Sequence, residues 1–86
     1  MARGIHDARY RQLVEALAAA RRNAGISQVA LASKLGKSQQ FVSKYESGER
    51  RLDFVEVLDV AKALGIPVDT LTRDLSDLGN TQSKPE

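Results

Sequence analysis

Glycine residues lie at the ends of segments in which apolar residues recur every three or four positions. In the first such segment, Tyr10, Leu13, Val14 and Leu17 would share one face of a helix. A glycine directly after this pattern is typical of a helix end, because it readily adopts the left-handed conformation that often closes a helix. No strand pattern occurs anywhere in the sequence, so we predict an all-α fold. The helices are predicted to end near Gly25, Gly36, Gly48, Gly65 and Gly79.

Serine and aspartate residues mark the starts of several predicted helices. Ser27, Ser38 and Asp53 each precede a helical segment, where a side-chain oxygen can accept hydrogen bonds from free backbone amides. Pro67 can occupy the first turn of a fifth helix, where its missing amide hydrogen costs nothing. The predicted helices span residues 7–24, 28–35, 39–47, 54–64 and a fifth segment from about 67 to 78.

One domain accounts for nearly the whole chain. A length of 86 residues allows a single small core, which must be compact because so short a chain buries little surface. We place this domain at residues 1–78 and a flexible tail at residues 79–86, since residues 80–86 contain no apolar residue except a proline. The fourth predicted helix is expected to face the core with Phe54, Val57, Leu58, Ala61 and Leu64.

The residue types exclude several classes of function. Cysteine is absent and His6 is the single histidine, which excludes disulfides, thiolate ligands and a histidine metal site and favours a reducing cytoplasm. The longest apolar run, residues 16–20, is far shorter than the roughly 20 residues of a membrane span. We therefore expect no metal and no membrane insertion.

A short segment that is similar to part of a phosphate-binding loop does not indicate an enzyme. Residues 36–38 read GKS, like the end of a P-loop, but the first glycine of that motif would have to be Leu31, and no strand precedes it. Neither a nucleophile with a base nor a pair of carboxylates in a pocket can be assembled. We expect no catalytic activity and no cofactor.

Charge is distributed unevenly along the chain. Residues 1–51 contain ten Lys or Arg and four Asp or Glu, a net charge of +6, whereas residues 52–86 contain three and seven, a net charge of −4. The two parts together give the chain's net charge of +2. A basic amino-terminal part indicates a surface that meets phosphates. Segregation of charge by chance is the alternative.

The second and third predicted helices, joined by the turn 35–37, meet the criteria for a helix-turn-helix. Residues near the amino end of one helix reach base edges in the DNA major groove. Gln39 and Gln40 lie there, and each can pair with adenine through one donor and one acceptor. Ser43 and Lys44 follow one turn later, and Lys37 lies in the turn. Ordinary exposure to solvent is the alternative for these amides, and Lys44 suits a phosphate as well as guanine.

Three blocks of the sequence closely resemble the phage-repressor and Cro-like helix-turn-helix family, also called the XRE family. The resemblance covers about residues 9–71. It implies a compact five-helix, lambda-repressor-like domain with the helix-turn-helix at helices 2 and 3, which binds operator DNA, usually as a symmetric dimer. The blocks are residues 25–32 (GISQVALA), 35–48 (LGKSQQFVSKYESG) and 61–67 (AKALGIP).

The resemblance also implies roles for individual residues. Gln28 would hold a phosphate and brace Gln39, while Gln39, Gln40 and Lys44 would face the bases. Ser38 and Ser43 would contact phosphates or base edges. The backbone across the groove would be contacted by Arg50 and Arg51. A structural ion pair would join Arg21 and Glu46.

Two residues depart from the family pattern. Phe41 stands where a small hydroxyl residue is common, so it could cover a thymine methyl, pack on its own domain or meet another protein. Leu52 stands where proline is frequent, which leaves the preceding loop less stiff.

The sequence thus favours a sequence-specific regulator of transcription, a repressor that binds a palindromic operator as a homodimer. We expect Leu75 and Leu78 to extend a dimer contact, because so small a core leaves little room beyond Leu71. The alternative function is an antitoxin-type protein that neutralises a toxin and regulates its own operon. The expected partners are therefore double-stranded DNA, a second copy of the chain and, in the alternative, another protein.

Overall fold

Five α-helices make up the described part of the chain. The structure is a computed structural model, which describes the backbone of residues 7–79 and the side chains of residues 7–73. No strand occurs between residues 7 and 79, and the expectation of an all-α, five-helix fold is confirmed. No helix in that range is both long and apolar enough to cross a membrane. The helices are α1 (Ala8–Asn23), α2 (Gln28–Leu35), α3 (Gln39–Ser47), α4 (Phe54–Leu64) and α5 (Val68–Gly79).

The helix starts follow the predicted capping pattern with two differences. The Ser27 hydroxyl accepts a hydrogen bond from the Ala30 amide, and Asp53 forms a reciprocal capping box with Glu56. Ser38 occupies the N-cap of α3 without a side-chain cap hydrogen bond, because the amide of Phe41 bonds to the Ser38 carbonyl oxygen instead (3.0 Å). Pro67 lies immediately before α5 rather than within its first turn.

The turn between α2 and α3 depends on a left-handed glycine. Gly36 has φ 69°, a conformation that is unfavourable for residues with a Cβ. It lets the amide of Lys37 return to the carbonyl oxygen of Ala32 at 2.9 Å, which is the bonding pattern that closes many helices. The chain can therefore begin α3 with only three residues between it and α2.

A single core lies where the five helices meet. Leu17 of α1, Leu31 of α2, and Val42 and Tyr45 of α3 are completely buried. Val60 and Ala61 of α4 and Leu71 of α5 also belong to the buried cluster. The two buried residues of α3 thus anchor it on the domain, and its polar side is left for other contacts.

The predicted core face of α4 is partly wrong. Phe54 is 69% exposed, whereas Val60, which was not expected in the core, is completely buried. The sequence of α4 contains two overlapping stripes at helical spacing, and the stripe that packs is Val57, Val60, Ala61 and Leu64. Phe54 lies at the edge of this stripe in the first turn, so its ring projects past the core. Val55 beside it is also exposed.

Tyr10 of α1 fastens the loop between α3 and α4. Its hydroxyl accepts a hydrogen bond from the amide of Leu52 at 2.8 Å, and the guanidinium of Arg51 lies over its ring, 5.2 Å from the centroid. Leu52 itself is buried. Contacts with α1 and the core therefore fix this loop although it lacks the proline that is frequent at position 52 in the resembling family.

Candidate nucleic-acid interface

The recognition surface predicted from the sequence is the polar side of α3. Val42 and Tyr45 turn towards the core, and Gln39, Gln40 and Lys44 are exposed. Gln40 and Lys44 are four residues apart and therefore lie on the same side of the helix. The structure thus leaves two amides and one ammonium group accessible along the first turn and a half of α3.

Four side chains form a continuous hydrogen-bonded network beneath this surface. Arg21 of α1 holds the Glu46 carboxylate with two hydrogen bonds, from Nε to Oε2 at 2.8 Å and from Nη2 to Oε1 at 3.1 Å. The Nε2 of Gln28 donates to Glu46 Oε1 at 2.9 Å. The Nε2 of Gln39 then donates to Gln28 Oε1 at 3.0 Å. The network links the end of α1 and the starts of α2 and α3.

The ion pair within this network is shielded from solvent. The side chains of Arg21 and Glu46 are 11% and 9% exposed. Hydrogen bonding to Glu46 raises the pKa of the Arg21 guanidinium above its usual range, against the opposing effect of burial. Arg21 also donates from Nη1 to the carbonyl oxygen of Ile26 at 2.8 Å. The pair therefore joins α1, the α1–α2 turn and the last turn of α3.

Phe41 packs on its own domain. Its ring is half-buried beside Leu35 and Val60 and meets the ring of Tyr45 edge to face, with centroids 5.6 Å apart. Two cations lie over it, the Lys37 ammonium at 5.3 Å and the Arg50 guanidinium at 4.8 Å from the centroid. Phe41 thus holds together two of the basic residues that the sequence assigned to DNA.

Arg50 has a carboxylate partner that the sequence analysis missed. Its Nη1 and Nη2 donate to the two oxygens of Glu56 at 2.9 and 2.8 Å. These hydrogen bonds lower the pKa of Glu56 to about 2, and a weaker contribution comes from the hydrogen bond that the amide of Asp53 donates to the same carboxylate. The pKa of Arg50 is raised in turn. The spacing of Asp53 and Glu56 marks a capping box, which indicates the hydrogen bond between these two residues but not the contact with Arg50.

The remaining predicted residues are placed as follows. Ser38 is exposed, and Ser43 is half-buried on α3. Lys37, Lys44 and Arg51 form no ion pair with any side chain of residues 7–73. Leu75 and Leu78 lie within α5, but their side chains fall outside the described residues. The structure therefore gathers the predicted DNA-binding residues on α2, α3 and the two turns that flank α3.

Known proteins resemble this chain in sequence and in shape. The family described as Helix-turn-helix matches residues 17–71. An XRE-family like protein from Pseudomonas syringae pv. tomato str. DC3000 superimposes with a TM-score of 0.80, at 44% identity, over 86% of this chain and 90% of its own. A mutant of a restriction-modification controller protein superimposes with a TM-score of 0.74 over 90% of this chain and 98% of its own. At 18% identity, that second structure supports the fold alone.

A curated relative is similar over part of its length. An uncharacterized transcriptional regulator in the ATPase CF(0) region of Rhodospirillum rubrum is 43% identical over 50 residues, or 58% of this chain. This chain spans about half of that relative, 46% of its length. The family match extends over α2, α3 and α4 and therefore includes both helices of the helix-turn-helix, α2 and α3. The chain belongs to the XRE family of helix-turn-helix DNA-binding proteins.

Proposed function

We propose that this chain is a sequence-specific regulator of transcription that represses by occupying a palindromic operator as a homodimer in the cytoplasm. The observation that carries the proposal is the accessible side of α3, where Gln39 and Gln40 present amides in the turn that enters a major groove. The name of the Rhodospirillum rubrum relative supports the regulatory part of the proposal.

In this proposal, base contacts and backbone contacts come from different residues. Gln39, Gln40 and Lys44 face base edges, where an amide can bond to adenine and an ammonium to guanine. Gln28, Ser38 and Ser43 contact phosphates or base edges beside them. Phosphate contacts from the flanking turns are assigned to Lys37, Arg50 and Arg51. Of these, Arg50 reaches a phosphate only in competition with Glu56, because that carboxylate already binds its guanidinium.

The dimer in this proposal places two copies of α3 one turn of DNA apart, about 34 Å. Leu75 and Leu78 of α5 are proposed to form the contact between the copies. In sequence they continue the three- and four-residue spacing that starts with the buried Leu71. Such a dimer requires an operator with two inverted half-sites.

Selection of bound sequences from random DNA tests this function directly. We expect an inverted repeat with half-sites one turn apart and a complex of two chains per DNA duplex. If about six phosphates are contacted, affinity should fall about a thousandfold between 50 and 200 mM salt. Binding without sequence preference, or an affinity independent of salt, would contradict the proposal.

A second candidate function, the antitoxin type, is favoured by one observation. The exposed side chains of Phe54 and Val55 form an apolar spot on α4, and exposed apolar surface can mark a protein contact. Purification from the native cell distinguishes the candidates, since an antitoxin should co-purify with a toxin in a fixed ratio. A homodimeric repressor should emerge alone or with DNA.

A further inference from the structure

Glu46 fixes the direction of every hydrogen bond between itself and Gln39. A carboxylate only accepts hydrogen bonds, whereas a glutamine amide offers a donor on one side and an acceptor on the other. Gln28 must therefore turn its Nε2 towards Glu46, as observed at 2.9 Å. Its Oε1 is then the atom that faces Gln39.

The same constraint passes to Gln39. Because Gln28 presents an acceptor, Gln39 must present its Nε2, and the two atoms are 3.0 Å apart. One Nε2 hydrogen of Gln39 is used in this bond. The second Nε2 hydrogen and Oε1 remain for an external partner. Their positions are fixed, because Nε2 lies on the side of the amide that faces Gln28 and Oε1 on the other side.

This order matters at a base pair. Adenine offers an acceptor, N7, beside a donor, N6, whereas guanine offers two acceptors, N7 and O6. A glutamine whose amide is locked in one direction fits adenine with both groups and sets its Oε1 against O6 of guanine. An amide that is free to reverse its direction loses part of this distinction.

We propose that Glu46 is a specificity-determining positioning residue, which acts through Gln28 to lock the direction of the Gln39 amide. This inference rests on the proposed DNA-binding function and assigns Glu46 a role beyond its structural pair with Arg21. The buried position of Glu46, with its side chain 9% exposed, keeps water from replacing Gln28 as its partner. The lock is therefore present before DNA arrives.

Two substitutions test the lock, and the second does so without changing the ion pair. Glu46→Gln keeps the shape and lets the residue face Gln28 with either amide group, so the direction is no longer fixed. Gln28→Met interrupts the network and leaves the Arg21–Glu46 pair intact, which keeps the test valid if E46Q folds poorly. Glu15→Gln is the matched control, because it removes the same charge from a 74% exposed partner of Arg22 on α1.

The first measurement needs no DNA. In nitrogen-15 NMR spectra of the free protein, we expect the Gln39 side-chain amide signals to shift in E46Q and Q28M and to stay unchanged in E15Q. Unchanged Gln39 signals in E46Q would show that Glu46 does not control this amide, and the inference would be overturned even if the signals shift in Q28M, because Gln28 contacts Gln39 directly.

The second measurement compares affinities for the selected operator and for its single-base variants. The base pair that Gln39 reads is the one at which Gln39→Ala loses discrimination. At that base pair, we expect the preference for adenine over guanine to fall about tenfold in E46Q and Q28M, or about 1.4 kcal/mol. Discrimination at the base pair read by Gln40, and all affinities of E15Q, should stay unchanged.

Other results identify which idea fails. An E46Q or Q28M protein that binds with undiminished preference at the Gln39 base pair overturns the role of Glu46 and leaves the proposed function standing. Equal weakening for every sequence, with the preference intact, assigns Glu46 a structural role and also overturns the inference. A wild-type protein without any sequence preference overturns the proposed function itself.

Discussion

At the scale of single residues, Gln39 is the side chain on which sequence recognition most depends in the proposed function. It is exposed and contributes nothing to the core. We therefore expect Gln39→Ala to leave the free energy of unfolding nearly unchanged and to weaken operator binding by about 1–3 kcal/mol, with lost discrimination at one base pair. Titration of the operator and its single-base variants measures both effects. Gln40→Ala is the control and should affect a different base pair, so an equal loss at every position would refute base readout by Gln39.

The pair of Arg50 and Glu56 predicts how stability depends on pH. The pKa of Glu56 falls from its ordinary 4.5 to about 2 in the folded protein, so its contribution is complete above pH 4.5 and is lost as the pH falls towards 2. Urea unfolding between pH 2 and 7 should show a smaller acid loss of stability in Glu56→Gln than in the wild type. Asp7, whose pKa is also lowered by Arg9, affects both proteins alike. Identical pH profiles would refute the pair's contribution.

Residue identities could be predicted from the sequence better than residue partners. Spacing within α3 was enough to select Gln39, Gln40 and Lys44 as exposed, because a helix fixes which positions share a face. It could not show that Arg50 meets Glu56, since the two lie six positions apart across a loop and a helix start. Such a contact depends on how α4 packs, which local spacing does not determine.

At the scale of helices, boundaries were easier to predict than buried faces. The ends of α2 and α3 agree with the prediction to the residue, because Ser27, Gly36, Ser38 and Gly48 act locally. The face of α4 was less predictable, because eight of the eleven residues of this helix are apolar. The choice between its two stripes is made by the other helices that border the core.

The difference in burial between an apolar residue of α2 and one of α4 leads to a prediction about stability. Leu31 of α2 is completely buried, and Phe54 of α4 is 69% exposed. We expect Leu31→Ala to lower the free energy of unfolding by about 2–5 kcal/mol, whereas Phe54→Ala should change it by no more than about 0.5 kcal/mol. Chemical denaturation at a concentration where both proteins are in the same oligomeric state measures these values. A large loss in Phe54→Ala would place its ring in a contact within the domain.

At the scale of the whole molecule, charge and structure divide the chain in the same way. The basic part, residues 1–51, contains α1, α2 and α3, and the acidic part contains α4 and α5. The ion pair of Arg50 with Glu56 joins the basic part to the acidic part, whereas the pair of Arg21 with Glu46 lies within the basic part and joins α1 to α3. The hydrogen bond between Gln39 and Gln28 holds the start of α3 and the two ion pairs hold its end, so in the proposed function DNA meets a surface that is already arranged.

The dimer contact proposed for α5 leads to a prediction about the oligomeric state of the protein. A chain that ends after Thr72 keeps Leu71 in the core but lacks Leu75 and Leu78, so we expect it to stay folded and become a monomer. Analytical ultracentrifugation measures the mass, and DNA titration should show weaker binding to the full operator with affinity for one half-site retained. The double substitution Leu75→Ala and Leu78→Ala is a second test with the same expected result, because alanine preserves the helix and removes the apolar side chains. A dimer that persists in both proteins would refute the α5 contact and move the search for the interface to Phe54 and Val55.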